Sequence, residues 1–526
     1  MNQKYPLHIL MMCLIACFAA TPPVSAARGP RTLMTQDEAR ALMTPARIIE
    51  NAHLKGLTLS DHVVARMTVN NTTLEKICLD RSHMQDLVII DSDLVGSAMR
   101  GMNLNGAKCF DTRFEKSDLS GTSLNYAILS GGELAVCDFK DAVLKGILIK
   151  GTRLRGVNFS GADLSYAVMY SDFDHVTFKH ADLHGAHIYN TPILASDFSR
   201  ANLSGAKLEK VSVVYRKDMI SRLKDVNMSY AYLKQVEIMG ADMSGGFFRG
   251  MTADNCDFSF SIMNNARMND MVFLKSSLRE TDLRYAEITH AFLRDTTIIG
   301  SNLAGADLSF SDLTGSVLDQ AILTEAVFDQ AVLAQSSMKK VNAARASFRQ
   351  ADLTGCNLSG AVLDRTILDQ AVLSGIILND ATLERLSLKQ ARFPGSQMKN
   401  AVFTRVQLSG ADLSGTNLSG SRMTASDLSG ASLTAVNAKG CVFEGVDLSG
   451  ASLESADLKG VSFIRVDLTN TLFKGATLKG AVFKKCTMTG ADFTGADVKG
   501  ADLTGVNIDG VRGLDRAVNV GKARGL

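Results

Sequence analysis

Tryptophan is absent from this 526-residue chain, and proline occurs only seven times. With so few prolines almost every residue keeps its backbone N–H, as a fold built on continuous backbone ladders requires. Nine cysteines are present and none forms a Cys-x-x-Cys pair, so neither a zinc site nor a disulfide framework is indicated. Neither sign of charge prevails: 56 Lys and Arg stand against 54 Asp and Glu, a net +2. Basic residues so diluted by acids argue against a nucleic-acid partner. After the N-terminus no apolar run is long enough to span a bilayer, so no transmembrane segment is expected in the mature chain. A Gly-rich phosphate loop, a His-Glu-x-x-His motif and a nucleophile elbow are all missing, so neither catalysis nor a bound cofactor is indicated.

What the chain does have is a five-residue beat. From Phe173 onward an apolar residue, called i, falls on numbers ending in 3 or 8, as in Leu183, Leu203, Leu308, Leu353, Leu448 and Ile508. Position i−2 is small (Ala181, Ala306, Ala411), i−1 is often Asp or Asn, and i+2 is often Gly. A helix repeats near 3.6 and a strand at 2, so period five is neither. Positions i−2 and i share a side in extended backbone. A short extended piece and a bend every five residues keep both inside, and only stacked coils bury the resulting column.

The units Ala-Asp-Leu-Ser-Gly, Thr-Asn-Leu-Ser-Gly and Ser-Asp-Leu-Ser-Gly between Leu408 and Leu428 resemble the pentapeptide-repeat family. The resemblance implies an all-β solenoid, a right-handed quadrilateral β-helix with four units per coil. Residues 20 apart then stack. Phe443, Phe463 and Phe483 form one interior column, and Phe473 and Phe493 stack on the opposite wall. Lys439, Lys459, Lys479 and Lys499 form one exterior column, with Asp457 and Asp497 on the same wall offsetting part of its charge.

Before residue 170 the beat runs one residue out of phase, through Leu54, Leu74, Leu104, Leu144 and Met169. Together the two phases amount to about 23 coils, a rod of roughly 110 Å at the sheet spacing. The organisation expected is a secretory signal peptide over 1–26, a linker or N-terminal cap helix over 27–51, a first-phase solenoid over 52–171, a second-phase solenoid over 172–510, and a C-terminal cap or tail over 511–526. The phase change at 169–173 reads as a kink or bulge in one rod, or as a junction between two solenoids. In the cap segment Thr35 and Glu38 have capping-box spacing, and Pro45 would stop a short helix.

Lys4, the apolar run from Leu7 to Ala20 and the small residues Val24-Ser25-Ala26 have the form of an export signal. Export to a bacterial periplasm or exterior follows, or anchoring through a lipid on Cys17, since Leu14-Ile15-Ala16-Cys17 resembles a lipoprotein signal. Of the remaining cysteines, Cys137, Cys256, Cys356, Cys441 and Cys486 occupy i−2 and Cys109 occupies i. They are expected inside, with only Cys78 facing out.

Function in a regular solenoid is expected where regularity fails. Between Val213 and Leu223, Tyr215, Arg216 and Lys217 interrupt the pattern and Asp218 takes an i position, where an unpaired carboxylate cannot be buried. A bulge or excursion is expected over 213–223, with Tyr215, Arg216 and Lys217 as candidate partner contacts. Phe247 and Phe260 fall at outward positions and could form an apolar patch. His175, His180, His184 and His187 spread around corners rather than converging on one ion. The column Lys439, Lys459, Lys479 and Lys499 is a candidate strip for an anionic envelope component. The function expected is a non-catalytic, exported, rod-shaped scaffold that binds a protein. An architectural or lipid-anchored spacer is the alternative, and a host-directed effector ranks below both. The resemblance also raises protection of gyrase by DNA mimicry, but a near-neutral, exported chain departs from that pattern. A monomer is expected, because Val511 to Leu526 holds no long apolar helix.

Overall fold

In the computed structural model, residues 31–45, 47–214, 216 and 220–525 are described. They wind into a parallel β-solenoid of about 22 turns. Within one coil, Thr58 pairs with Cys78, Val63 with His83, Thr68 with Val88 and Thr73 with Asp93. Four ladders, each linking residues 20 apart, give the coil four walls. The three-residue strands bury their central residue and leave its two neighbours outside, as in Val442–Glu444.

The backbone geometry explains the residue preferences. The amide of i−1 donates back to the previous coil (Asp427 N to Val406 O, 3.0 Å), and those of i and i+2 donate onward (Leu428 N to Asp447 O, 2.8 Å; Gly430 N to Ser449 O, 2.8 Å). At the turns the next i−2 amide closes on i (Ala431 N to Leu428 O, 3.1 Å). Only the i+1 amide has no ladder role. The Asp or Asn at i−1 supplies its acceptor, as Asp427 Oδ1 does for Ser429 N at 2.9 Å. This is why i−1 favours a short side chain ending in oxygen. Pro394 stands at i+1, where no ladder amide is lost. The i+2 corner takes positive φ, 62° at Gly430, and so favours glycine.

Where a unit is fully extended, the i−2 amide lacks its turn partner, and a hydroxyl from the next coil replaces it. Val406 N donates to Ser426 Oγ at 3.1 Å, and Cys256 N to Ser276 Oγ at 3.1 Å. Ser426 Oγ in turn donates to Thr424 O at 3.1 Å. Buried Ser and Thr are thus tolerated inside because they complete the backbone's hydrogen bonding.

Contacts group the chain into two compact units, one ending at Asp197 and one beginning at Phe198. In the first, strand Thr32–Met34 joins Ala52–Lys55, and helix Gln36–Leu42 follows it. Thr35 and Glu38 form the capping box, with Glu38 N on Thr35 Oγ1 at 3.3 Å and Thr35 N on Glu38 Oε2 at 2.8 Å. Ala39 is fully buried, and Met43 lines one apolar cavity of about 40 Å³ with Ile49 and Leu54, so the segment covers the end of the core. Arg31 pins it, reaching Asp93 at 2.6 Å.

The phase change lies in this unit too. Leu154 pairs with Phe173 and Met169 with Ile188, each 19 residues on. The corner residue at i+2 has been omitted, and Ser171 passes directly to the inward i−2 position, where it is buried. The ladders continue on both sides, and the Phe139, Phe159 and Phe178 rings stack across it at 5.1 and 5.2 Å.

In the second unit, Phe443, Phe463 and Phe483 stack at 5.3 and 5.0 Å, and Phe473 lies over Phe493 at 4.8 Å. Residues 511–525 supply a final coil on three walls, pairing Asp492 with Arg512, Asp497 with Val518 and Asp502 with Arg524. Two 3-10 turns, Leu514–Arg516 and Val520–Lys522, take up the extra residues. Gly513 passes so close to Thr494 that a Cβ would lie 2.6 Å from its amide nitrogen. The fourth wall ends at Thr487. Cys486 and Ile508, expected inside, are therefore half-exposed because no further coil covers that wall.

Candidate functional site

The excursion sits in the second unit. Asn202 pairs with Asn227, Lys207 with Tyr232 and Ser212 with Glu237, each 25 residues on instead of 20. The register thus holds five residues more than a coil between Val213 and Ser221. The longer register falls where the sequence places Asp218 at an i position. Arg216 is exposed, as is Ile220. Tyr215, Lys217 and Asp218 lie outside the described residues. Ladders resume at once, since Arg222 pairs with Asp242.

The lysine column forms as the spacing required, but it is largely neutralised. Lys439 Nζ lies 3.1 Å and Lys459 Nζ 3.4 Å from Asp457, and Lys479 Nζ lies 3.1 Å from Asp497. Lys499 N donates to Asp497 Oδ1 at 3.2 Å. Against a partial burial that works the other way, the hydrogen bond from Lys439 and the two lysine charges hold the Asp457 carboxyl below its ordinary range. Asp497, likewise opposed by partial burial, is held down by Asn519 and Lys479.

The other candidates separate. Phe247 is 38% and Phe260 42% exposed, but Phe247 lies on the wall of Asn227 and Arg267 while Phe260 forms a corner, so they share no face. Arg267 covers Phe247, its guanidinium carbon 5.1 Å from the ring centre. His175 Nδ1 is 2.5 Å from Asp174 Oδ1, His184 meets the edge of Tyr166, and His187 packs on Tyr189. Among the described residues no cluster of His, Cys, Asp or Glu has the geometry to hold a metal ion.

Cys137, Cys256, Cys356 and Cys441 are buried at i−2, and Cys109 is buried at i. The i−2 thiols take the hydroxyl's place, Cys441 Sγ donating to Leu418 O at 2.8 Å. Burial pushes Cys109 and Cys356 up to about 12 and Cys137 and Cys256 up to about 11, which keeps them protonated and unreactive. Cys78 is half-exposed, its Sγ 3.1 Å from Ser60 Oγ.

One departure was not anticipated. Between the coil segments 366–373 and 386–393 the ladder opens. Ser347 pairs with Ile367 and Asp352 with Val372, but Ile367 and Val372 find no partner at Ser387 and Arg392, which pair only onward with Gln407 and Asp412. The slit is pinned at both ends, by Arg365 N on Glu384 O at 2.9 Å and Gly375 N on Pro394 O at 2.8 Å. It encloses a void of about 690 Å³ open to solvent. The same stretch carries bulk at i−2. From Phe173 onward, Ile376 and Leu386 are the only Ile or Leu at that small-residue position. Leu386 stacks over Thr366, and both Leu386 and Ile376 are buried. Bulk at i−2 does not by itself open a ladder, since Met251 and Met271 fill the same position where Thr252 pairs with Val272.

Comparison with known proteins agrees with the architecture. Pentapeptide repeats in eight copies match residues 103–135, 137–170, 301–339, 311–350, 346–385 and 382–420, and a pentapeptide repeat region matches 436–512. These cover half the chain, which therefore belongs to the pentapeptide-repeat proteins. No curated protein sequence matches the chain significantly. Among solved structures it is similar to HetL, a pentapeptide repeat protein involved in heterocyst differentiation regulation from the cyanobacterium Nostoc. Identity is 23% over 56% of this chain and 91% of that one, with a TM-score of 0.18. It is also similar to QnrB1, a plasmid-mediated fluoroquinolone resistance protein, at 18% identity over 37% of this chain and 90% of that one, with a TM-score of 0.22. A pentapeptide repeat protein from the Arabidopsis thaliana thylakoid lumen is 28% identical over 22% of this chain and 65% of its own, with a TM-score of 0.13. Among the described residues no helix is long and apolar enough to cross a membrane.

Proposed function

We propose that the chain is an exported, non-catalytic scaffold that binds a protein partner in a bacterial envelope. The observation that carries this reading is the register between Val213 and Ser221: Ser212 pairs 25 residues on, five more than a coil needs, and the ladders resume at Arg222. Extra chain that the fold does not need is free to make contacts, with Tyr215, Arg216 and Lys217 as candidate contact residues. The interior supports a non-catalytic role. It is filled with apolar side chains, and its thiols are held protonated by burial. Export rests on the leader sequence, which lies outside the described residues. The lysine column is the weaker candidate for an anionic component, because Asp457 and Asp497 already engage three of its four lysines.

Deleting residues 214–218 restores a 20-residue coil and tests the reading. Crosslinking in the native envelope should capture a partner with the intact chain and lose it with the deletion. Unchanged capture would place the site elsewhere. A spacer is distinguished by removing residues 301–340, two coils in register. A spacer loses function with its length, whereas a scaffold keeps partner capture.

A further inference from the structure

We propose that the slit between segments 366–373 and 386–393 is a docking slot for one short segment of a partner protein, added between the lips in β-pairing on each wall and bent once at the corner. In a closed coil five backbone bonds would cross this gap: Leu368 N to Ser387 O, Gln370 N to Lys389 O, Leu373 N to Arg392 O, Ser387 N to Thr366 O, and Arg392 N to Ala371 O. None of them forms. Each lip therefore presents ladder donors and ladder acceptors at strand spacing, the complement of a peptide backbone. The lips run along two walls, those of Ile367 and Val372, and around the corner at Gln370 between them, so an occupant bends once there, and the pins at Arg365 and Gly375 limit the slot to a short segment. The floor is apolar, formed by Leu368, Leu373 and Leu388, while Asp369, Lys389 and Arg392 stand at the rim. An occupant alternating polar, apolar, polar would set its middle side chain on that floor and its flanking ones at the charged rim. The void of about 690 Å³ lies within the range of ligand-sized sites. This site is independent of the excursion, so either can fail without the other.

The test uses the full chain and a locked variant, Gln370→Cys with Gln390→Cys. These corner residues would lie about 4.8 Å apart in a closed ladder, within reach of a disulfide. A displayed library of random heptapeptides is selected on the open chain and counter-selected on the oxidised, locked one. The expected result is a set of alternating sequences that bind the open chain at least tenfold more tightly than the locked one, with binding restored on reduction. N-methylating alternate amides of a selected peptide should abolish binding, and the bound peptide should slow amide exchange at Leu368, Gln370 and Leu373. Failure to select any sequence that discriminates open from locked chain overturns the proposal. So does binding indifferent to N-methylation. Slow exchange of those amides in the free protein also overturns it, because the slit would then be closed in solution.

Discussion

Replacing Phe463 by alanine removes a ring that is fully buried, stacked between Phe443 and Phe483 at 5.3 and 5.0 Å, and touched edge-on by Phe473 at 6.0 Å. The coils above and below are held at ladder spacing by backbone hydrogen bonds, so they cannot collapse into the space left. The full cavity penalty then applies, about 3–5 kcal/mol for Phe to Ala, with loss of the stacking geometry contained in it. In a solenoid each coil contacts only its neighbours, so the damage should stay local. Hydrogen exchange followed by mass spectrometry reads this directly. Segments from about 440 to 485 should lose protection by roughly 10²–10³-fold, since each 1.4 kcal/mol is tenfold. Segments within 301–340, more than five coils away, should exchange as in the unaltered protein. A uniform loss of protection across residues 301–500 would refute the nearest-neighbour reasoning. Unchanged exchange at 440–485 would refute the claim that the phenylalanine column holds these coils together.

Other predictions follow from single contacts. Gly132 and Gly151 both have positive φ, but a Cβ at Gly132 would run into the Thr112 carbonyl while one at Gly151 would meet open space. Gly151→Ala should cost roughly 1–2 kcal/mol, the ordinary left-handed penalty, and Gly132→Ala distinctly more, read as denaturation midpoints in urea. Hydrogen bonds from the hydroxyl and amide of Ser414 hold the Asp412 carboxyl below its ordinary 3.8, and Thr494 does the same for Asp492. Carboxylates so depressed contribute stability that is present above the unfolded value and lost as pH falls through the folded one. The melting temperature should therefore hold from neutrality down to about pH 4 and fall below it. Changing both Asp412 and Asp492 to Asn, which keeps an acceptor oxygen, should make that fall shallower, and an unchanged acid profile would count against the assignment. Thr35→Ala removes the capping hydroxyl and should cost about 1 kcal/mol, seen as faster exchange confined to the segment 36–43.

The sequence by itself determined the repeat, the inward and outward positions, and the stacking of residues one coil apart. A five-residue unit is a local pattern, and four such units per coil convert sequence distance into contact. Phe443 above Phe463 and the lysine column follow from that alone, as does burial of Cys441 at an alanine position. The sequence also marked the phase change at 169–173 and the interruption at 213–223. It could not say how neighbouring coils absorb them, since that depends on atoms some 20 residues apart. Only the tertiary structure showed the corner residue omitted before Ser171 and the register lengthened by five residues after Val213. It alone assigned Asp457 to two lysines and gave the buried hydroxyls and thiols their carbonyl acceptors. Leu386 shows the limit most clearly. It keeps the apolar pattern, and nothing in that pattern marks the coil at which the ladder opens. Repeat register is decided within one unit, whereas fit is decided between coils, and the slit at 366–393 lies between coils.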